Sequence, residues 1–85
     1  MNLYLLFPSI HNVMAAEELC QEAAIATDMR PVPREISSDC GMCLACGEAD
    51  LEAIEKLLRR AGFSCPVRIY RAGPGRKFTF LTAIP

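Results

Sequence analysis

Eighty-five residues can hold one domain, 1–85, around one modest core, because chains of this size bury only about 60% of their unfolded surface. Nine basic and ten acidic side chains leave a net charge of −1 and are scattered rather than blocked, which excludes the basic footprint that a nucleic-acid backbone requires. A hydrophobic content of 52% is rich for so short a chain and implies apolar surface covered by a second copy.

Residues 2–7, Asn-Leu-Tyr-Leu-Leu-Phe, are apolar at both parities and bounded by Pro8, the pattern of a strand buried on both faces in the middle of a sheet. The same run lacks a basic leader and is too short to cross a membrane or act as a signal peptide, so the chain reads as cytoplasmic, with no membrane partner. Ser9 stands at an N-cap position, and a helix is predicted from Ile10 to about Ala26. Its apolar arc holds Ile10, Val13, Met14, Ala16, Leu19, Cys20, Ala23 and Ala24, with His11, Glu18 and Glu22 opposite and Glu17 at the edge. Cys20, near the centre of the arc, reads as a small core residue.

Thr27 and Asp28 end this helix, and Met29–Glu35 reads as an edge strand, since Pro31 and Pro33 remove ladder donors that only an edge can spare. Ser37, Ser38 and Asp39 form a turn, and Met42–Gly47, again apolar at both parities, is a second central strand. Asp50 is placed to cap a second helix carrying Leu51, Ile54, Leu57, Leu58 and Ala61, with Glu52/Lys56 and Glu55/Arg59 as i,i+4 pairs and Gly62 as its terminator. Pro66–Arg71 is a strand, residues 72–75 a turn, and Lys77–Ile84 a last strand with Phe78, Phe80, Thr82 and Ile84 on one face.

This order, β-α-β-β-α-β plus one strand, is the ferredoxin-like split βαβ: an α+β fold with an antiparallel sheet, two helices on one face and an added C-terminal strand. In it the first and second strands run parallel, so the end of the first strand and the turn after the second emerge together. Ser9, His11 and the helix N-terminus then lie beside Cys40. A helix N-terminus and free amides stabilise a thiolate, which makes Cys40 the best nucleophile in the chain. Gly41 leaves room for backbone N–H groups to face the sulfur, Arg34 is a candidate positive charge although a surface arginine is the default reading, and Asp39 opposes the thiolate if it faces the sulfur. His11 is a candidate proton acceptor for Cys40, although no third group is evident to orient the imidazole, and a solvent-facing role is the simpler reading.

Five cysteines is an odd number, and in a reducing compartment close thiols point to metal, redox or nucleophilic roles before disulfides. Cys40, Cys43 and Cys46 form C-x-x-C-x-x-C, the opening of a ferredoxin cluster motif without its fourth cysteine. An iron–sulfur or zinc site on these three is the metal alternative, but a strand at 42–46 points Cys43 away from the face shared by Cys40 and Cys46. A Cys40–Cys43 disulfide also lacks the helix that such pairs usually open. Cys43 and Cys46 are expected in the core, and Cys65 has no evident partner.

The run Pro31-x-Pro33-Arg34-x-Ile36-Ser37-Ser38-x-Cys40-Gly41, preceded by a strand ending Phe7-x-Ser9 and a helix, resembles the small family of selenium/sulfur carrier protein-like domains over roughly residues 3–70. The resemblance implies a cysteine, here Cys40, that carries sulfur or selenium as a persulfide or selenosulfide, with no resident cofactor. Cys43, Cys46 and the strand after Gly73-Pro74-Gly75 are not part of that pattern. The resulting expectation is a carrier rather than a turnover enzyme, with Ser37, Ser38 and Gly41 hydrogen-bonding the terminal anion. A cysteine desulfurase-like donor and an acceptor enzyme would be its partners, and a homodimer its assembly. The alternative is a dimeric binding or assembly module whose cysteines are structural.

Overall fold

Strands β1 (Leu3–Leu6), β2 (Thr27–Pro31), β3 (Met42–Cys46), β4 (Val67–Ala72) and β5 (Phe78–Ile84), with helices α1 (Ile10–Glu22) and α2 (Leu51–Ala61), make up the computed structural model, which describes residues 1–37, 41–63 and 66–84. The expectations attached to Ser38, Asp39, Cys40 and Cys65 fall outside these residues. The strands form one antiparallel sheet in the order β2-β3-β1-β4-β5. β1 and β3, apolar at both parities, take the middle, and the proline-bearing β2 takes an edge. This is the ferredoxin-like order with β5 added outside β4.

Alternate strand residues Leu3, Leu5, Leu44, Cys46, Val67, Ile69 and Ile84 pack in one buried cluster with Val13, Ala16 and Cys20 of α1 and Ile54 and Leu58 of α2. Both helices therefore cover the same face. The buried stripe of α1 is narrower than its apolar arc, and Ile10 and Met14 are exposed. On α2 the two i,i+4 pairs form, Glu52 to Lys56 at 3.2 Å and Glu55 to Arg59 at 4.0 Å. Gly62 ends it in the left-handed conformation, φ 70°.

Several boundaries differ from the sequence reading. α1 stops at Glu22, not near Ala26, in a Schellman turn: the Ile25 N–H donates to the Cys20 carbonyl at 2.8 Å and the Ala24 N–H to the Gln21 carbonyl at 3.1 Å. Ala24 takes the left-handed position, φ 60°, where a glycine would have marked the stop in the sequence. β2 accordingly starts at Thr27 and ends at Pro31, and Pro33–Ser37 is a turn in which the Ile36 and Ser37 N–H groups donate to the Pro33 carbonyl at 3.0 and 3.1 Å. Asp50 does not cap α2 with its side chain; it closes a 3-10 turn, Glu48–Asp50, its N–H donating to the Gly47 carbonyl at 3.0 Å.

The last strand does not keep one face. Ile69 pairs with Thr82 but Tyr70 with Phe80, so Leu81 is an extra residue that inverts the alternation. Ile84 and Thr82 face the helices, whereas Phe80 and Phe78 turn to the open face, where Phe80 meets Tyr70 and Phe78 meets Tyr4, each pair with ring centroids 5.5 Å apart. The open face is also less bare than its composition implies, since Cys43 and Ala45 are fully buried and Leu6 is 5% exposed in the single chain. This removes the premise that apolar residues of β1 and β3 await a second copy.

Candidate functional site

β1 and β2 both lie antiparallel to β3, so they are parallel to each other and their C-terminal ends emerge together. From β1 the chain passes through Phe7 and Pro8 into α1. From β2 it turns through Pro33–Ser37 and re-enters the sheet after Gly41, where the Val32 N–H donates to the Gly41 carbonyl at 3.0 Å and closes the neck of the excursion. The two connections enclose a cleft of about 500 Å³ bordered by Phe7, Ser9, Val32, Ser37, Gly41 and Arg68.

Ser9 is the N-cap of α1, in extended conformation, its Oγ accepting from the Asn12 N–H at 3.4 Å and donating to Asn12 Oδ1 at 2.7 Å. The N–H groups of Ile10 and His11 have no intrahelical acceptor by virtue of their position. No acidic residue lies in this first turn, and Arg68 is the single charge among the described residues lining the cleft. Helix dipole and guanidinium both favour an anion there.

The predicted site residues divide between two places. Ser9, Ser37 and Gly41 line the cleft, while His11 is exposed in the first helical turn and not part of its wall. Arg34, on the Pro33–Ser37 turn, borders a separate groove on the open sheet face. Gly41 is required neither by conformation nor by space, because its φ is not left-handed and a Cβ there would meet nothing within 4 Å. Arg68 was not foreseen; it reaches the site through the pairing of β4 with β1, which sets it opposite Leu6.

The three described cysteines are all buried. Burial pushes the Cys43 thiol up to about 11. Burial, then the nearby Cys20 and Asp50, push Cys46 up to about 12. Cys20 is raised too, by burial first and by Asp50 and Glu17 after it. All three are protonated thiols near neutral pH and poor nucleophiles. Cys43 lies on the open face, its Sγ 3.9 Å from the Pro31 carbonyl, and Cys46 lies in the helix-side core. The two cannot ligate one ion, which disposes of a three-cysteine metal site on Cys40, Cys43 and Cys46 in this fold. Among the described residues no cluster of three or more His, Cys, Asp or Glu is arranged to hold a metal.

Strand order, helices on one face and an anion-favouring cleft beside the first helix define a small ferredoxin-like α+β protein with its candidate chemistry at one end of the sheet. The chain belongs to the selenium/sulfur carrier-like family, whose model, described as "Putative Se/S carrier protein-like", matches residues 2–66. No curated protein and no solved structure matches the chain significantly. No helix among the described residues is long and apolar enough to cross a membrane.

Proposed function

We propose that this protein is a cytoplasmic carrier that holds sulfane sulfur or selenium on Cys40 and passes it from a cysteine desulfurase-like donor to an acceptor enzyme. The observation that carries the reading is subtractive. Burial silences Cys20, Cys43 and Cys46, and Cys40 belongs to the Ser-Ser-x-Cys-Gly run within the family match, bracketed in sequence by two residues of the cleft wall, Ser37 and Gly41.

In the proposed exchange the Cys40 thiolate attacks the outer sulfur of a donor persulfide, the donor's sulfur–sulfur bond breaks, and the donor thiolate leaves. Delivery repeats the step in reverse sense, with an acceptor nucleophile taking the outer atom and Cys40 leaving as thiolate. Neither step changes the overall redox balance. The first turn of α1 and Arg68 favour the anionic terminus, and Ser37 and the Gly41 N–H, both at the cleft, would be its hydrogen-bonding surroundings together with Ser38 of the same run. His11 and Arg34 have weaker claims, since neither borders the cleft.

The competing reading, a dimeric assembly module, draws on Phe80, a half-exposed ring at the β5 edge. Intact-mass measurement after incubation with a cysteine desulfurase and cysteine or selenocysteine separates the two. The carrier gains one chalcogen atom and Cys40→Ser does not. No gain, or equal gain in both proteins, refutes the proposal, and a light-scattering mass of one chain at micromolar concentration refutes the dimer.

A further inference from the structure

On the open face of the sheet lies a groove of about 380 Å³ that the chemistry of Cys40 does not use. Its floor is aromatic, Tyr4 and Phe78 edge to face at 5.5 Å, and Pro33 belongs to its wall. Three arginines from three separate segments border it: Arg30 from β2, Arg34 from the following turn and Arg76 from the turn before β5. Arg30 lies 5.8 Å over the Tyr4 ring, donates from Nη1 to Tyr4 Oη at 3.1 Å and is held through Nε by Asp28 at 2.8 Å. Arg76 is fixed by two hydrogen bonds to Glu35, 2.5 and 3.0 Å. Arg34 has no ion-pair partner among the described residues.

We propose that this groove binds an acidic segment of a partner protein, one apolar side chain seated on Tyr4 and Phe78 and a flanking carboxylate meeting Arg34. The charge pattern favours this occupant. With Arg30 held by Asp28 and Arg76 by Glu35, the groove's uncompensated charge is that of Arg34, while the chain as a whole carries −1 and α1, on the other side of the sheet, bears Glu17, Glu18 and Glu22 with no lysine or arginine. Such polarity orients an acidic partner toward one face. A small anion fits less well, because Arg34 is the one arginine of the three without a carboxylate partner among the described residues and the Tyr4 and Phe78 floor offers such an ion nothing. A segment can set an apolar side chain on the rings and a carboxylate on Arg34 at once.

The partner's identity as donor or acceptor rests on the carrier reading; the binding itself does not. Val32 borders both the groove and the cleft, so a segment seated here lies against the stretch of chain that leads in sequence to Cys40.

The test is fluorescence anisotropy of a labelled pentapeptide, four glutamates around a central phenylalanine, with the full chain. Saturable binding should weaken roughly fivefold or more in Arg34→Glu and less in Arg34→Gln. It should fall with added sodium chloride and with alanine in place of the phenylalanine, and persist in Cys40→Ser and in Arg60→Glu, a charge reversal on exposed α2 surface. Absence of saturable binding, or equal weakening by Arg60→Glu, overturns the proposal. So does complete displacement by inorganic phosphate at an ionic strength where sodium chloride leaves the peptide bound, which would make the groove a small-anion site. Peptide binding with no chalcogen gain on the native chain would sink the carrier reading and leave this one standing.

Discussion

Replacing Cys46 by alanine should lower stability at pH 8 and raise it, relative to the native chain, above about pH 10. The deletion removes one buried heavy atom from the helix-side core, a change that costs about 1 kcal/mol by comparison with the loss of a buried methyl. Against this stands the ionisation of the thiol. Cys46 is fully buried and its thiol is pushed from 9.0 up to about 12, so between these values the unfolded chain sheds a proton that the native chain keeps. Stability is undiminished below pH 9 and drains away as pH rises toward 12, at up to about 1.4 kcal/mol per pH unit. Between pH 8 and 10.5 the native chain should lose roughly 2 kcal/mol that Cys46→Ala retains, and the two stability curves should cross near pH 9.7 by the same linkage.

Urea midpoints under reducing conditions at half-unit intervals from pH 8 to 10.5 measure this directly. Contributions common to both proteins cancel in the difference. Parallel curves would refute the reasoning, because they would require a Cys46 thiol that ionises as readily in the native chain as in the unfolded one.

Three further outcomes follow from other parts of the fold. Ala24→Gly should stabilise the chain by about 1 kcal/mol, since glycine relieves the left-handed strain at the end of α1, and an unchanged or lower melting temperature would contradict it. Gly41→Ala should leave urea stability within about 0.5 kcal/mol, there being open space around the position; slower chalcogen loading in that variant would assign the glycine to the chemistry, and a large loss of stability would contradict the geometry. Iodoacetamide at pH 8 should label Cys20, Cys43 and Cys46 only after denaturation, and a peptide map showing native modification of Cys43 or Cys46 would overturn the burial argument.

The parts of this fold that could be read from the sequence were those governed by periodicity. Two strands apolar at both parities had to be central, the prolines of 31–33 had to mark an edge, and Gly62 had to end a helix. What escaped was set by local substitutions for the usual signals. Ala24 occupies a glycine position, so the end of α1 was invisible; Leu81 inserts one residue in a strand whose alternation looked regular; Asp50 has the composition of a cap but sits inside a 3-10 turn. The network of Glu48 with Arg71, at 2.6 and 2.9 Å, and Asn2, at 2.8 Å, joins segments far apart in sequence and had no local signal at all.

The site divides along the same line. The cleft between the two connections was legible because it follows from topology alone: parallel β1 and β2 must release the chain at the same end of the sheet. Arg68 was not, because its place depends on the register of β4 against β1, a one-residue slip of which would exchange it for a neighbour on the other face. Register also decides the cysteines. A spacing of three on a helix brings two thiols to one side, and on a strand it sends them to opposite sides. Cys43 and Cys46 are therefore separated by the sheet itself, and C-x-x-C-x-x-C in this setting cannot be a chelating motif. Had residues 42–46 been helical, the same letters would have argued for a metal; as β3, they place Cys43 and Cys46 in separate buried layers, so neither can join the other in one site.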